Sequence, residues 1–362
     1  MIKRRVCIAA GCAVLILLFH LFSGCRALMN GIVSVTLPFR QLLARLCALV
    51  PFSVSEALCA LGIAAVLFWL VYTLVRTRKA ERRWKALGRR LTLPLAVLPA
   101  GYLLLCLLLG ASYRADGFTE KSGLTPQADT VETLRAVTER FASDLAATAA
   151  TVPSGEDGTF AVSVDTLLAD AAGIYRGAEA LFPFLTLRDV TPKPVLASRL
   201  MSRFNYTGYY FPFTGEANIN VDQTAAMIPA TIAHEMAHQR GIASEQEANF
   251  VGILACVESG NAAYAYSGRL FALIHLGNAL CKYDSGAWTE ILRGLPESVL
   301  ADLRLNDAYW AQFETKAAQV SEKVYDTLLK SYGQELGVQS YGAVVDLLLA
   351  WYRQGGFPPA AA

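Results

Sequence analysis

The chain has 362 residues, of which 54% are apolar and only 17% charged, with a formal net charge of +2. That charge balance gives no bias toward nucleic acid. The length provides for a sizeable core and roughly two domains, and the apolar excess, crowded toward the N-terminus, points to membrane segments.

Three apolar runs come first in chain order: 7–24, 57–75 and 91–112. Each approaches or reaches the ~20 residues that a helix needs to cross a bilayer, and Pro94 and Pro99 in the third are tolerable in a membrane helix. Lys3, Arg4 and Arg5 precede the first run, and eight basic residues against one acidic lie in Arg76–Arg90. Basic flanks stay in the cytoplasm, so residues after Ser112 are expected outside it, in a multi-pass protein of the cell membrane. A rival reading takes "LFSGC" as a lipoprotein signal ending with Cys25 as the lipidated residue; it leaves the later residues on the same side. The segment from Ala27 to Phe52, broken by Pro38, Arg40, Arg45 and Pro51, reads as an interfacial amphipathic stretch or a short re-entrant element. So few ionisable groups within the three runs argue against a transport path. Six of the eight cysteines lie at or before Cys106, in or near apolar runs. Cys256 and Cys281 read as a pair or as buried thiols.

Residues 113–362 read as one mainly α (α+β) extracytoplasmic domain. Helical periodicity covers "VETLRAVTERFASDLAATAA" and "VDTLLADAAGIYRGAEALF", separated by a loop of breakers at "TVPSGEDGT". From Arg188 to Gln223, β-branched and aromatic residues mixed with Pro and Gly predict short strands. Helices are then predicted at Thr224–Arg240, Glu245–Glu258, Ala262–Lys282, from about Ser298 to Gly333, and at Tyr341–Arg353.

The first of these holds "HEMAH". His234 and His238 are four residues apart, which places both imidazoles on one helix face. A tetrahedral zinc site needs donors converging on one point, and Zn2+ lowers the pKa of a bound water to roughly 7, within reach of a nearby carboxylate. Glu235, beside the first histidine, has the position for that general base. A third protein ligand is required, and Glu245 and Glu247 both stand close by in the sequence. Gly241 is a natural helix stop. Ser244 with Glu247 three residues on makes a capping box that would occupy Glu247. Glu245 is therefore favoured as the third ligand over Glu247, with Asn249 four residues further on as a partner for it.

The stretch "HEMAHQRGIASEQEANF" resembles the glutamate zincins, metallopeptidases in which HExxH supplies two zinc ligands and a catalytic base and a later helix supplies a glutamate. Asn249 stands where those enzymes often carry aspartate, and the seven-residue step from His238 to Glu245 is shorter than in many of them. With its N-terminal apolar runs, "PFTGEANIN", "EANF" and "YGAVVDLLLAWYR", the chain resembles over nearly its full length a bacterial membrane family known as domain of unknown function 3810. The resemblance implies a zincin-like fold.

Other residues carry weaker expectations. Tyr206–Val221 reads as an edge strand able to pair with peptide backbone. Glu216, Asn218 and Asn220 alternate on one strand face, lining a cleft or facing solvent. Tyr206, Tyr209, Tyr210, His275 and Tyr341 are candidate donors to an oxyanion. Arg240 suits the carbonyls at its helix end. Together these features predict a membrane-anchored zinc metallopeptidase, with Glu235 catalytic and His234, His238 and Glu245 on the metal; that its substrate is a peptide or protein is what the resemblance to zincins implies. The alternative is a non-catalytic metal-binding envelope protein that binds a partner or signals through its helices.

Overall fold

The computed structural model of the chain describes residues 2–126, 129–331 and 341–357. The chain divides into two compact units, Met1–Ala115 with Pro212–Gly215, and Asp116–Phe211 with Glu216–Ala362.

The first unit holds α1 (Ile2–Phe22), α2 (Arg26–Cys47), α3 (Val54–Arg78) and α4 (Arg83–Leu105), the last continuing into a π turn at Cys106–Gly110. Three stretches among the described residues, Ile2–Phe22, Val54–Arg78 and Arg83–Gly110, are long and apolar enough to cross a membrane. They outrun the predicted runs because the helical backbone continues into the basic flanks. Their large side chains face outward, with Leu17 67% and Phe68 72% exposed. A protein in water rarely leaves so continuous an apolar surface open. α4 packs against both α1 and α3, and His20 Nε2 lies 3.1 Å from the Tyr102 hydroxyl, joining α1 to α4. α2 is a full helix with Pro38 inside it, so the re-entrant reading of that segment is replaced by a continuous helix that buries Met29, Val33, Arg40 and Ala44. Arg40 Nη2 donates to Ser112 Oγ at 3.1 Å.

The second unit opens with α5 (Phe118–Ser122), α6 (Val131–Ala149), α7 (Val164–Asp170), α8 (Arg176–Leu181) and α9 (Ser198–Ser202). Side-chain caps start several of these elements: Thr130 Oγ1 accepts from Thr133 N on α6, and Ser163 Oγ accepts from Thr166 N on α7. A small sheet follows in the order β1 (Lys193–Pro194), β3 (Glu216–Ile219), β2 (Gly208–Phe211), with β1 parallel and β2 antiparallel to β3. Then come α10 (Ile228–Gln239), α11 (Glu245–Val257), α12 (Ala262–Tyr283), α13 (Ser285–Gly294), α14 (Glu297–Ala311), α15 (Lys316–Ser331) and α16 (Tyr341–Arg353).

The core is built on α10, α11 and α12. α11 packs on both of the others, α6 covers α12, and β3 lies on α10. α16 closes against α11 and α12, burying Val344, Val345, Leu347 and Leu348. α13 was not anticipated; "SGAWTEILRG" is short, and its helix is secured by Asp284, which accepts from Ala287 N. The helix predicted from about Ser298 is interrupted between Ala311 and Lys316, and its predicted end at Gly333 lies outside the described residues. Cys256 and Cys281 are not paired: the first is a buried thiol and the second is exposed.

Candidate metal centre

α10 begins with Pro229 in its first turn, where a missing N–H costs nothing. It ends in a Schellman turn. Gly241 takes φ +87°, its N–H donates to His238 O at 3.0 Å, and Ile242 N–H donates to Ala237 O at 3.2 Å. The turn delivers the Ile242 carbonyl to His238, whose Nδ1 lies 2.7 Å away. A carbonyl only accepts, so Nδ1 carries the proton and the lone pair of the neutral ring sits on Nε2. Two residues after Ile242, Ser244 turns the chain into α11, with Glu245 at its first position.

Three donors converge as a result. His234 Nε2 and His238 Nε2 are 3.1 Å apart, Glu245 Oε2 is 3.2 Å from the first and Glu245 Oε1 is 3.7 Å from the second. Bonds of about 2.0–2.1 Å in a tetrahedral shell put donors roughly 3.3–3.4 Å apart. The observed spacings bracket that value, so these residues fit a zinc-sized ion. The electrostatics agree. Burial opposes charge on Glu245, but His238 and His234 outweigh it and hold the carboxyl well below its ordinary range. Burial likewise lowers His238, yet Glu245 carries it up to about 9. The three groups together favour a positive charge between them.

Glu235 sits on the same helix, 3% exposed. Burial pushes its carboxyl up to about 7, with Glu245 adding to the shift and the two histidines opposing it. Its Oε2 is buried and has no hydrogen-bond partner among the described residues, and the same holds for His234 Nδ1. β2 reaches this carboxylate through Gly208, where a methyl group would stand 2.6 Å from Glu235 Oε1. Gly252 of α11 makes the other close approach, since a methyl there would lie 3.0 Å from His234 N and 3.2 Å from its Cα. These two glycines let a strand and a helix close on the histidine helix. A glycine inside a helical pattern was the available signal for Gly252.

The capping-box reading of Glu247 is corrected. Ser244 makes no side-chain cap, and Glu247 turns the other way to accept from Phe118 N at 2.8 Å, Thr119 N at 2.9 Å and Thr119 Oγ1 at 2.8 Å. A carboxylate is well placed on the free N–H groups at the start of α5. Glu247 is thus fully engaged away from the histidines. Both readings of the β3 face are corrected as well. Glu216, Asn218 and Asn220 are all buried, neither solvated nor lining the cleft. Asn220 Nδ2 donates to Ser202 Oγ and Tyr206 O, and Asn218 Nδ2 donates to Glu216 O.

A cleft of about 380 Å³ reaches His234 and Glu245. Asn249 lines it with Glu245, and Asn205, Thr207, Gln223, Asn278 and Asn306 add neutral hydrogen-bonding groups to its wall. Thr231 and His275 also line it, and Met227, Ala230, Phe271, Ile274 and Trp310 form its apolar side. Burial, with His234 adding, lowers His275 to about 4, so that ring is neutral. Asp222 accepts from Tyr309 and Ser202, and from Arg199, tying α14 and its Asn306 and Trp310 to the end of β3. Of the candidate oxyanion donors, His275 lines the cleft, and the Tyr210 ring centre is 6.3 Å from that of His238. Tyr206 and Tyr209 are placed by β2 and its approach, and the Tyr341 side chain lies outside the described residues.

A family model described as protein of unknown function (DUF3810) matches residues 34–349. The chain belongs to this family. The match runs from α2 to α16 and so includes every residue of the histidine cluster. No curated protein and no solved structure matches the chain.

Proposed function

We propose that the protein is a membrane-anchored zinc metallopeptidase of zincin type, whose Asp116–Ala362 region works outside the cytoplasm. The observation that carries this reading is the convergence of His234 Nε2, His238 Nε2 and the Glu245 carboxylate at tetrahedral spacing, reached by a cleft and flanked by a buried carboxylate. His234, His238 and Glu245 would hold the ion. When bound, zinc supplies Lewis acidity that brings the pKa of water toward 7 and polarises a carbonyl. Glu235 is the proton carrier: its Oε2 takes a proton from the attacking water and returns it to the leaving amine. The hydrogen-bonding, largely uncharged cleft wall suits the amides of a peptide. That the substrate is a peptide rests on analogy with other sites of this type.

Metal analysis of the purified full-length protein tests the centre. Wild type is expected to retain about one zinc per chain, and His238→Ala to lose most of it, because removing one of three protein ligands leaves too few donors. Equal content in both proteins would remove the basis for the reading. Gly252→Ala tests the helix approach. The added methyl meets His234 backbone, which cannot give as a side chain can, so α11 must shift and carry Glu245 with it. Zinc affinity is expected to fall roughly tenfold, in the range seen when ligand orientation is disturbed, as read by competition with a chelator.

A further inference from the structure

The other unit carries a second cavity, of about 1000 Å³, at one end of its apolar helices. Its walls come from the start of α1, the end of α3, the turn after it and the start of α4. Arg5, Arg82, Lys85, Arg89 and Arg90 line it, against a single acidic residue, Glu81. None of the five cations makes an ion pair among the described residues. Arg5 Nη1 donates to Thr92 Oγ1 and Arg90 Nη1 to Ala86 O, while Arg90 Nε is buried without a hydrogen-bond partner. Like charges gathered around one cavity repel unless an anion joins them.

The same cavity is also apolar. Ile2, Leu93 and Trp69 share its lining, and Tyr72 stands there with the Arg90 guanidinium 5.7 Å from its ring centre. Tryptophan and tyrosine favour the level of lipid headgroups. Beside it the apolar faces of α3 and α4 are open, with Val71 61% and Leu95 55% exposed. A free phosphate would use the cations and leave these faces unused. An amphiphile with an anionic head would use both.

We propose that this cavity binds the phosphate-bearing headgroup of an anionic phospholipid, whose acyl chains lie along α3 and α4. Guanidinium groups suit phosphate oxygens because they offer paired N–H donors in one plane, and basic pockets between membrane helices hold such headgroups. The site is separate from the histidine centre and does not depend on its chemistry.

The test is native mass spectrometry of the delipidated full-length protein in detergent, with phosphatidylglycerol, phosphatidylethanolamine or inorganic phosphate added. Wild type is expected to hold phosphatidylglycerol at least about tenfold more tightly than phosphatidylethanolamine, and Arg82→Gln/Arg89→Gln to lower that affinity by roughly tenfold or more. Arg78→Gln/Arg83→Gln removes the same charge outside the cavity and is expected to change it little. Should the cavity pair misfold by circular dichroism, Lys85→Gln, at an exposed position, decides, with a smaller loss expected. Equal losses in the cavity and control pairs, equal binding of the two lipids, no loss in Lys85→Gln where that variant decides, or displacement of phosphatidylglycerol by millimolar inorganic phosphate would each overturn the proposal.

Discussion

Glu235→Gln is expected to keep its zinc and lose about 10²–10⁴-fold of its peptide cleavage. The amide is nearly isosteric, so packing against Gly208 is preserved, and His234, His238 and Glu245 are untouched. What the substitution removes is a basic oxygen. Glutamine presents a carbonyl oxygen that cannot take a proton at neutral pH and an amino group that cannot return one. The measurement pairs metal content with turnover of a broad peptide mixture. Unchanged turnover with unchanged zinc would remove Glu235 from the role of proton carrier, whereas zinc retained in both proteins with no turnover in either would assign the ion a structural role and leave a partner-binding or signalling protein. Loss of zinc together with activity would mean that Glu235 helps to hold the ion, which its position beside His234 without a hydrogen bond to either imidazole argues against.

The centre was readable where its parts are local. The four-residue step from His234 to His238, the helix stop at Gly241 and the start at Ser244 all act within about a dozen residues, and one-dimensional spacing suffices to bring Glu245 near the histidines. Membrane-length helices were equally plain, because uninterrupted apolar length is itself the physical requirement. Failures cluster where a partner lies far along the chain. Glu247 looked committed to its own helix end, but its true partners are Phe118 and Thr119. A capping box and a long-range cap present the same local sequence, and only the packing of α5 distinguishes them. Asn218 and Asn220 looked like cleft or surface residues because strand alternation separates two faces without saying which face is covered. Here both are buried, and their amides hydrogen-bond to backbone and to Ser202. Gly208 and Gly252 matter for what they lack, and absence of a side chain has no signature except an unexpected glycine.

Arg240→Met is expected to destabilise the second unit by about 3–5 kcal/mol, the cost of removing one partner from a buried ion pair. Its side chain is 1% exposed and its Nη2 donates to Glu179 Oε1 at 3.0 Å and Asp189 Oδ1 at 2.5 Å. The guanidinium lies 3.6 Å from the centre of the Tyr175 ring, and the Tyr175 hydroxyl donates to Ala233 O at 2.6 Å, one residue before His234. Asp189 Oδ2 accepts from Gly173 N. One cation therefore ties the segments around Gly173, Glu179 and Asp189 to the end of the histidine helix. Methionine fills much of the volume but leaves two partly buried carboxylates facing no charge. Arg240→Lys keeps the charge yet loses the planar fork and the stacking on Tyr175, so an intermediate loss is expected. The informative variant is Arg240→Met combined with Glu179→Gln and Asp189→Asn. If uncompensated carboxylates cause the loss, neutralising them restores a substantial part of it, and the sum of the separate effects overstates the combined one. Thermal unfolding of the full-length protein in detergent reads wild type, Arg240→Met, Arg240→Lys, Glu179→Gln/Asp189→Asn and the triple variant. A triple variant less stable than Arg240→Met would place the contribution of Arg240 in its packing on Tyr175 rather than in charge. In that case the stacked ring, and not the ion pairs, holds the end of α10 in register beneath His234 and His238.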